Sequence, residues 1–413
     1  MVAQAMAASQ SANDDIAASH RWFMTGQACW FLGSGINMVL YPWLVAVVLR
    51  ESPEWVGIAQ MAAMAPSLVL MIPGGMLADR FDQKRLLIVF QILATLPGLG
   101  LIVVLQSGGL STGMIILFAA LSGSALAFVV PTRDALLTRT TKPPLQTAVI
   151  QAMLTQFAAM LAGIMVAGLA TFVGAVPIVA VYVMGNLAAV LSAARLRPLA
   201  AEPHDDEMGN SLAAAMRVAF ASPVIRPVLI AIFAVGVCYV GSFLVVLPLQ
   251  VRDVYGGGAG RIALVNVFFW LGTIVATAAL LRLGPRRKPG RVYVGFVAGG
   301  VIVLGLLGTD GPFWWLCLLC FIWGIGAGAS MSMARGMVQE AAPPAMRARI
   351  MALYNLGFMG GAPLGAFIVG YLIKFQGPKD AVYLPAAAMV VVVLYLVFGT
   401  RLLRLTLHDE ASP

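Results

Sequence analysis

The chain has 413 residues, of which 61% are hydrophobic and only 10% are charged, and its mean hydropathy is +0.92. Soluble domains carry roughly 25% charged residues, so this composition excludes an ordinary soluble protein. The formal net charge of +9 does not indicate nucleic-acid binding, because nearly all of the basic residues lie between apolar segments.

The apolar segments predict an all-α membrane protein of twelve transmembrane helices, since one span needs about 20 mostly apolar residues. In chain order the predicted spans are 22–48, 55–78, 86–106, 112–131, 146–171, 177–196, 227–250, 261–282, 292–308, 313–334, 348–374 and 381–400.

The basic residues predict the orientation of these spans. With the N-terminus inside, the inner side holds most of the 26 Lys and Arg residues. The outer side holds only five, namely Arg50, Arg252, Arg261, Lys374 and Lys379. This asymmetry follows the positive-inside rule and predicts a multi-pass protein of the plasma membrane, most simply a bacterial inner membrane, with both termini cytosolic. The first 21 residues lack the pattern of a cleaved signal peptide.

A hydrophilic stretch divides the spans six and six. We therefore predict a cytosolic N-tail (1–21), a first six-helix bundle (22–196), a cytosolic linker with an interfacial helix (197–226), a second six-helix bundle (227–400) and a cytosolic C-tail (401–413). The halves resemble each other at an offset of about 200 residues, which indicates an internal repeat. Pro42 and Pro248 lie near the ends of spans one and seven, and Arg133 and Arg335 follow spans four and ten.

The segment from Gly75 to Arg85, between spans two and three, carries a family signature. It resembles the G-x-L-a-D-r-x-G-r-k/r loop of the major facilitator superfamily, and Asp82 replaces the usual glycine. The variant D-R-F-D is similar to the branch of siderophore exporters and of macrolide or multidrug efflux proteins. The resemblance implies two parallel-repeat six-helix bundles that rock around a central site.

The same resemblance implies a gating role for residues of this loop that match the family signature, namely Gly75, Asp79, Arg80, Lys84 and Arg85. A carboxylate is stabilised near a helix N-terminus by the helix dipole. Asp79 is therefore expected to latch against the N-terminus of span eleven, near Arg347. The alternative is a solvated loop whose charges simply obey the positive-inside rule.

Span eleven carries a stripe of small residues. Gly357, Gly361 and Gly365 recur every four residues, which permits close approach of another helix backbone. Pro363 lies between them and predicts a bend.

Polar and aromatic residues at helical spacing are candidates for a substrate cavity. In the family, spans one, four, seven and ten line that cavity. The candidates are Asn37, Tyr41, Tyr239, Ser242, Asn266, Trp270, Trp323, Tyr354 and Asn355. Packing between helices is the competing interpretation for each of them. The surrounding residues are mainly Met, Phe, Leu and Val, which favours a bulky amphipathic substrate over a sugar.

Charged residues near the cytosolic ends of spans four and ten are candidates for the cavity mouth. Arg133 and Arg335 occupy repeat-related places, and Asp134 adjoins Arg133. The arginines could attract an anionic amphipath, or they could serve only as positive-inside anchors. All 17 Asp and Glu residues fall outside the central thirds of the predicted spans, so no intramembrane acid indicates a proton relay. Asp134 is the nearest candidate for proton coupling. Span five lacks the Gly-Pro signature of drug-proton antiporters.

The sequence therefore predicts a secondary transporter, and the efflux resemblance favours export of a small amphipathic or hydrophobic molecule by alternating access. The alternatives are a lysophospholipid transporter or flippase of the same fold, and a membrane sensor that does not transport. A polytopic enzyme is disfavoured, because no catalytic or metal-ligand cluster lies near a membrane surface. We expect no cofactor, no metal and no nucleic-acid partner, and we expect a monomer in the lipid bilayer with protons as the candidate coupling ion.

Overall fold

The computed structural model describes residues 2–140, 145–196, 208–283, 288–343 and 346–404. Regular structure within these ranges is helical throughout. The α-helices are α1 (Val2–Trp43), α2 (Pro53–Arg80), α3 (Gln83–Gln106), α4 (Thr112–Arg139), α5 (Leu145–Gly168), α6 (Ala170–Val173), α7 (Ala175–Ala194), α8 (Met208–Ala221), α9 (Ile225–Val235), α10 (Gly241–Asp253), α11 (Ala259–Leu283), α12 (Pro289–Leu306), α13 (Phe313–Ala341), α14 (Arg347–Asp380) and α15 (Tyr383–Phe398).

Ten helical segments in the described part of the chain are long and apolar enough to cross a membrane. The shorter apolar helix α15 and helix α2 occupy the other two predicted positions. Spans one and seven each contain a π-helical turn, at Leu44–Val48 after α1 and at Gly236–Val240 between α9 and α10. The predicted all-α fold with twelve spans is confirmed.

The N-terminal segment is helical. Helix α1 begins at Val2, so residues 2–21 of the predicted tail continue as helix into the first span, and their cytosolic placement remains a prediction. The many alanines of this segment explain the helix, because alanine has the highest intrinsic helix propensity.

The residues group into two compact units. The first unit contains Met1–Tyr41 and Ala65–His204, and the second contains Pro42–Met64 and Asp205–Pro413. The end of span one and the first part of span two therefore belong to the second unit by their contacts. The bundle boundaries predicted from the repeat, 22–196 and 227–400, describe sequence halves and remain a prediction.

Glycines allow equivalent helices to meet in each unit. In the first unit, a Cβ added at Gly35 would lie 2.1 Å from the Met160 carbonyl oxygen, and one at Gly163 would lie 2.0 Å from that of Leu32. In the second unit, a Cβ at Gly365 would lie 2.0 Å from the Val237 oxygen. Spans one and five thus touch backbone to backbone, as do spans seven and eleven, which agrees with the predicted offset between the halves.

Candidate functional site

The loop between spans two and three is a short helix-to-helix connection. Helix α2 ends at Arg80 and α3 begins at Gln83. The surroundings of Gly75 and the side chains of Asp79 and Arg80 lie outside the described residues, so the predicted latch of Asp79 stays a prediction. Asp82 caps α3, since its Oδ1 accepts hydrogen bonds from the backbone N–H groups of Lys84 (2.8 Å) and Arg85 (3.2 Å). An aspartate is among the best N-cap residues, which explains how this chain replaces the usual glycine.

The two basic residues after Asp82 have local partners. Lys84 Nζ donates to the Leu196 carbonyl oxygen beyond the end of α7, where a cation is favoured by the helix dipole. Arg85 Nε lies 3.9 Å from Asp82 Oδ2. The Lys84 hydrogen bond connects the loop to the end of span six within the first unit, whereas the Arg85–Asp82 pair is local.

In the first unit, the two cavity candidates on span one belong to a polar cluster. The Tyr41 hydroxyl lies 3.1 Å from Ser122 Oγ, and Asn37 approaches Tyr182. The Tyr182 hydroxyl donates to the Ala94 carbonyl oxygen at 3.0 Å. Tyr41 is only 6% exposed, so its observed contacts are those of a packing residue.

The charged candidates differ in their surroundings. Arg133 is buried, donates to Gln27 Oε1, and has its guanidinium 4.8 Å from the centroid of the Phe31 ring. Arg335 is exposed and lies near Tyr354. The side chain of Asp134 lies outside the described residues. The repeat-related arginines therefore have different environments, and only Arg133 is built into the helix packing of its unit.

The candidates on spans seven, eight and ten meet in an aromatic cluster of the second unit. Trp323 is its centre, with ring centroids 6.1 Å from Tyr239, 5.9 Å from Phe243 and 6.2 Å from Phe269. The ring of Trp270 meets that of Phe269 edge to face at 5.8 Å. Sequence patterning found Tyr239, Trp270 and Trp323 but missed Phe243 and Phe269, because an isolated Phe in an apolar helix carries no distinguishing spacing.

Two polar side chains adjoin the aromatic cluster. Ser242 precedes Phe243 and is 0% exposed, and its Oγ has no hydrogen-bond partner among the described residues. Asn266 Nδ2 donates to the Ile262 carbonyl oxygen at 2.8 Å, whereas its Oδ1 is buried and likewise without a partner in the described ranges. Buried polar atoms are usually satisfied by protein, water or ligand, and none of the described residues satisfies these two atoms. In contrast, the Tyr239 hydroxyl donates to the Val297 carbonyl oxygen at 2.6 Å.

The two candidates on span eleven, Tyr354 and Asn355, differ in burial. Tyr354 is 3% exposed, and its hydroxyl is buried without a hydrogen-bond partner in the described part of the chain. Asn355 is exposed. The structure therefore brings Tyr354, but not Asn355, into the interior of the second unit.

The predicted glycine stripe of span eleven packs on span seven, with one exception. Added Cβ atoms at Gly361 and Gly365 would lie 2.4 Å from the Phe233 oxygen and 2.0 Å from the Val237 oxygen. At Gly357 the nearest atom would be Ile232 Cγ2 at an ordinary 3.6 Å. Helix α14 continues through Pro363, and its non-helical residue is Gly377, with φ of 83°.

A further set of contacts, not predicted from the sequence, holds residues 42–64 to the rest of the second unit. Arg252 Nη1 donates to the carbonyl oxygens of Ala46 (2.9 Å) and Glu51 (2.8 Å). Lys374 Nζ lies 2.7 Å from Glu54 Oε1. We call Glu54, Arg252 and Lys374 the outer clasp, because the predicted topology places all three on the outer side.

The helices of the outer clasp also make close backbone contact. A Cβ at Gly57 would lie 2.5 Å from the Ala366 oxygen. Burial acts to raise the pKa of Glu54, but hydrogen bonds from Lys374, from its own backbone N–H and from Ser52 lower it below the ordinary value. Glu54 is therefore ionised at neutral pH, as the ion pair requires. The only sequence signal for this set was the paired Arg50-Glu51 and Arg252-Asp253 at the outer ends of spans one and seven.

The described residues contain no group of three or more His, Cys, Asp or Glu side chains that could hold a metal ion. The four cysteines are free thiols, and Cys238, Cys317 and Cys320 are buried in helices. The candidate residues that the structure brings together in the second unit are thus aromatic, hydroxyl and amide groups.

Comparison with curated proteins gives partial matches. Curated relatives include a probable sphingolipid transporter, spinster homolog 1, of Arabidopsis thaliana, which is 27% identical over 132 residues, or 32% of this chain and 27% of the relative. A tetracycline resistance determinant of Streptomyces rimosus is 30% identical over 115 residues, or 27% of this chain and 33% of the relative. The matched regions thus span a third or less of these relatives.

Solved structures match over nearly the whole chain. The nucleoside transporter NupG aligns with a TM-score of 0.75 and 11% identity, covering 92% of this chain and 98% of the other. An inward-facing bacterial homolog of the human lysosomal transporter Spinster aligns with a TM-score of 0.69 and 15% identity, covering 96% and 99%. At these identities the likeness shows the fold alone.

The family model of the Major Facilitator Superfamily matches residues 23–366 and 290–411. These matches include the loop from Gly75 to Arg85, the aromatic cluster and the outer clasp. The chain is a multi-pass membrane protein, and it belongs to the major facilitator superfamily.

Proposed function

We propose that this protein is a transporter that exports a small amphipathic or hydrophobic molecule from the cytosol by rocker-switch alternating access. The observation that carries the substrate class is the aromatic cluster of spans seven, eight and ten, with Trp323 at its centre and few polar atoms beside it. Aromatic walls bind bulky apolar ligands, and a few placed polar groups fix their orientation.

Ser242 and Asn266 are the polar groups that we assign to substrate binding. Ser242 Oγ and Asn266 Oδ1 are buried and have no hydrogen-bond partner in the described residues. A substrate with one or two hydrogen-bonding groups would satisfy them, whereas a sugar would need many more such partners. Ser242 is fully buried in this conformation, so its contact with substrate requires the helix movement that alternating access provides.

Export and the drug-like substrate class rest on the D-R-F-D resemblance and on the partial match to a tetracycline resistance determinant. The partial match to a probable sphingolipid transporter favours one alternative, transport of a lysophospholipid or another lipid. Both hypotheses use the same aromatic cluster. They differ in the length of the apolar part of the substrate.

The outer clasp is the element that we propose to close the outer side while substrate enters from the cytosol. Its ion pair and its Arg252 hydrogen bonds are polar and reversible, so they can break and re-form in each cycle. Asp79 is the proposed counterpart at the cytosolic side, and Asp134 is the proposed site of proton coupling.

Ser242→Ala provides a sharp test of substrate binding. The substitution removes no hydrogen bond within the described protein and removes a buried hydroxyl that has no partner there, so the melting temperature should not fall. A ligand first identified by thermal-shift screening of siderophores, antibiotics and lysophospholipids should bind about 5- to 10-fold more weakly to this variant, because one hydrogen bond contributes about 1 kcal/mol.

The control is Ser107→Ala, since Ser107 is exposed and lies after α3, outside the aromatic cluster. Equal ligand affinity of the wild type and Ser242→Ala would remove Ser242 from the proposed site. Drug-resistance and lipid-uptake assays in one expression strain distinguish the two substrate classes, and absence of both activities together with absence of counterflow in liposomes would contradict transport of either class.

A further inference from the structure

Spans eight and ten, which are helices α11 and α13, touch at Gly272 and Gly324 and separate toward the predicted outer side. A Cβ added at Gly324 would lie 1.9 Å from the Phe269 carbonyl oxygen, and one at Gly272 would lie 2.1 Å from that of Phe321. The Thr273 hydroxyl donates to the Gly324 carbonyl oxygen at 3.1 Å. Helices α11 and α13 are therefore in backbone contact at this crossing, and nothing larger than a hydrogen atom fits between them there.

On the outer side of the crossing, the two helices leave a groove of about 480 Å³. Its walls are almost entirely apolar. They are formed by Leu264 and Phe268 of α11 and by Phe313, Trp314, Leu318 and Phe321 of α13. Leu264 and Trp314 are 48% and 64% exposed, so the groove opens on the surface of the unit rather than into its core.

The length of the groove is close to the thickness of the hydrocarbon layer of one lipid leaflet. On α13 its lining residues run from Phe313 to Phe321, which at a rise of about 1.5 Å per residue is about 12 Å. The hydrocarbon core of a bilayer is about 30 Å thick, so one leaflet contributes about 15 Å. An acyl chain that enters the groove can extend to the Gly272–Gly324 crossing but cannot pass between the helices into the unit.

A basic residue lies at the outer end of the groove. Arg261 is exposed, its guanidinium lies 5.3 Å from the centroid of the Phe313 ring, and it donates to the Tyr255 carbonyl oxygen. The nearby carboxylate of Asp310 is paired with Lys379, and none of the described ion pairs includes Arg261. A planar guanidinium with five donors is well suited to a phosphate group. Trp314 is exposed at the start of α13, and tryptophan is enriched at membrane–water interfaces.

We propose that this groove is a binding site for an outer-leaflet phospholipid, with one acyl chain between α11 and α13 and the phosphate at Arg261. The lipid is a retained structural ligand and not the transported substrate, because the glycine crossing closes the route inward. The proposal is independent of the proposed export function.

Native mass spectrometry of the full chain in detergent tests this site with phosphatidylglycerol and with diacylglycerol of the same acyl chains. The wild type should retain one phosphatidylglycerol. Leu264→Trp combined with Leu318→Trp fills the groove and should weaken binding of both lipids at least about tenfold. Arg261→Gln should weaken phosphatidylglycerol about 5- to 10-fold and leave diacylglycerol unchanged, since only the phosphate contact is lost.

The matched control is Val391→Trp combined with Leu394→Trp, because these residues of α15 are also exposed (66% and 49%) but lie outside the groove. The melting temperature of each variant verifies its folding, and Arg261→Gln tests the site without adding bulk. The proposal is overturned if the groove-filling variant binds lipid as the control does, or if Arg261→Gln weakens the two lipids equally.

Discussion

The ion pair of the outer clasp gives a quantitative prediction. Glu54 and Lys374 are 2.7 Å apart, and their side chains are 12% and 46% exposed. A partly exposed pair of this kind contributes about 1 kcal/mol. Glu54→Gln should therefore lower the equilibrium constant for the closed clasp about fivefold, since about 1.4 kcal/mol corresponds to tenfold.

Arg252→Gln should have a larger effect on the same equilibrium. The substitution removes two charge-assisted hydrogen bonds, which Arg252 donates to the backbone carbonyl oxygens of Ala46 and Glu51. Each contributes about 1.5 kcal/mol. Their sum would correspond to a factor of about 100. The two clasp variants are thus predicted to differ in order of magnitude, and Arg252→Gln should be the stronger.

Hydrogen exchange of the backbone in segment 50–60, measured by mass spectrometry in nanodiscs, reports opening of the clasp. Exchange should accelerate about fivefold in Glu54→Gln, and the charge swap Glu54→Lys with Lys374→Glu should restore part of the protection. Asp310→Asn is the control, because it breaks the Lys379–Asp310 pair, which does not involve segment 42–64. The assignment of the clasp would be refuted if Glu54→Gln exchanged segment 50–60 at the wild-type rate, or if the Asp310→Asn control exchanged it faster than the wild type.

Three other predictions concern pH, packing and capping. The clasp should be intact at neutral pH and should be lost as pH falls through the lowered pKa of Glu54, because a carboxyl with a depressed pKa stabilises the folded contact only while it is ionised. The hydrogen-exchange rate of backbone amides in segment 50–60, corrected for intrinsic rates, should stay constant as pH is lowered from 8 to about 5 and should increase at lower pH. An increase that already begins above pH 6 would contradict this. Gly365→Leu should abolish a cooperative thermal transition, since its Cβ would lie 2.0 Å from the Val237 oxygen, whereas Gly357→Ala, with 3.6 Å of room, should melt at or slightly above the wild-type temperature. Asp82→Ala should destabilise the protein by about 1 kcal/mol and Asp82→Gly by only a few tenths, and equal melting temperatures of the two variants would show that the cap does not contribute.

The number and type of spans were predictable because membrane-spanning helices require long apolar segments whatever their neighbours are. The Gly361 and Gly365 contacts were predictable for a related reason, since small residues every four positions indicate a close helix contact. The same pattern could not show that Gly357 has room for a side chain, because that depends on how Ile232 packs opposite it.

The parts that could not be predicted depend on pairings between distant segments. Glu54 and Lys374 lie far apart in the chain, and each alone looks like an ordinary charged residue at a helix end. The hydrogen bonds of Arg252 to Ala46 and Glu51 use backbone oxygens, which leave no mark on the sequence. Likewise, Phe243 and Phe269 became candidates only when the structure placed their rings beside Trp323.

The two π-helical turns make the halves unequal in a specific way. A π-turn accommodates one extra residue in a helix, so side chains beyond it are rotated by about 100° relative to an uninterrupted α-helix. In span one the turn follows Tyr41, at Leu44–Val48, whereas in span seven it precedes Ser242, at Gly236–Val240. A constant offset of about 200 residues therefore matches sequence positions without matching helix faces in the middle of these two spans. A residue's role in the middle of span one therefore cannot be assigned to its counterpart in span seven from the sequence offset alone.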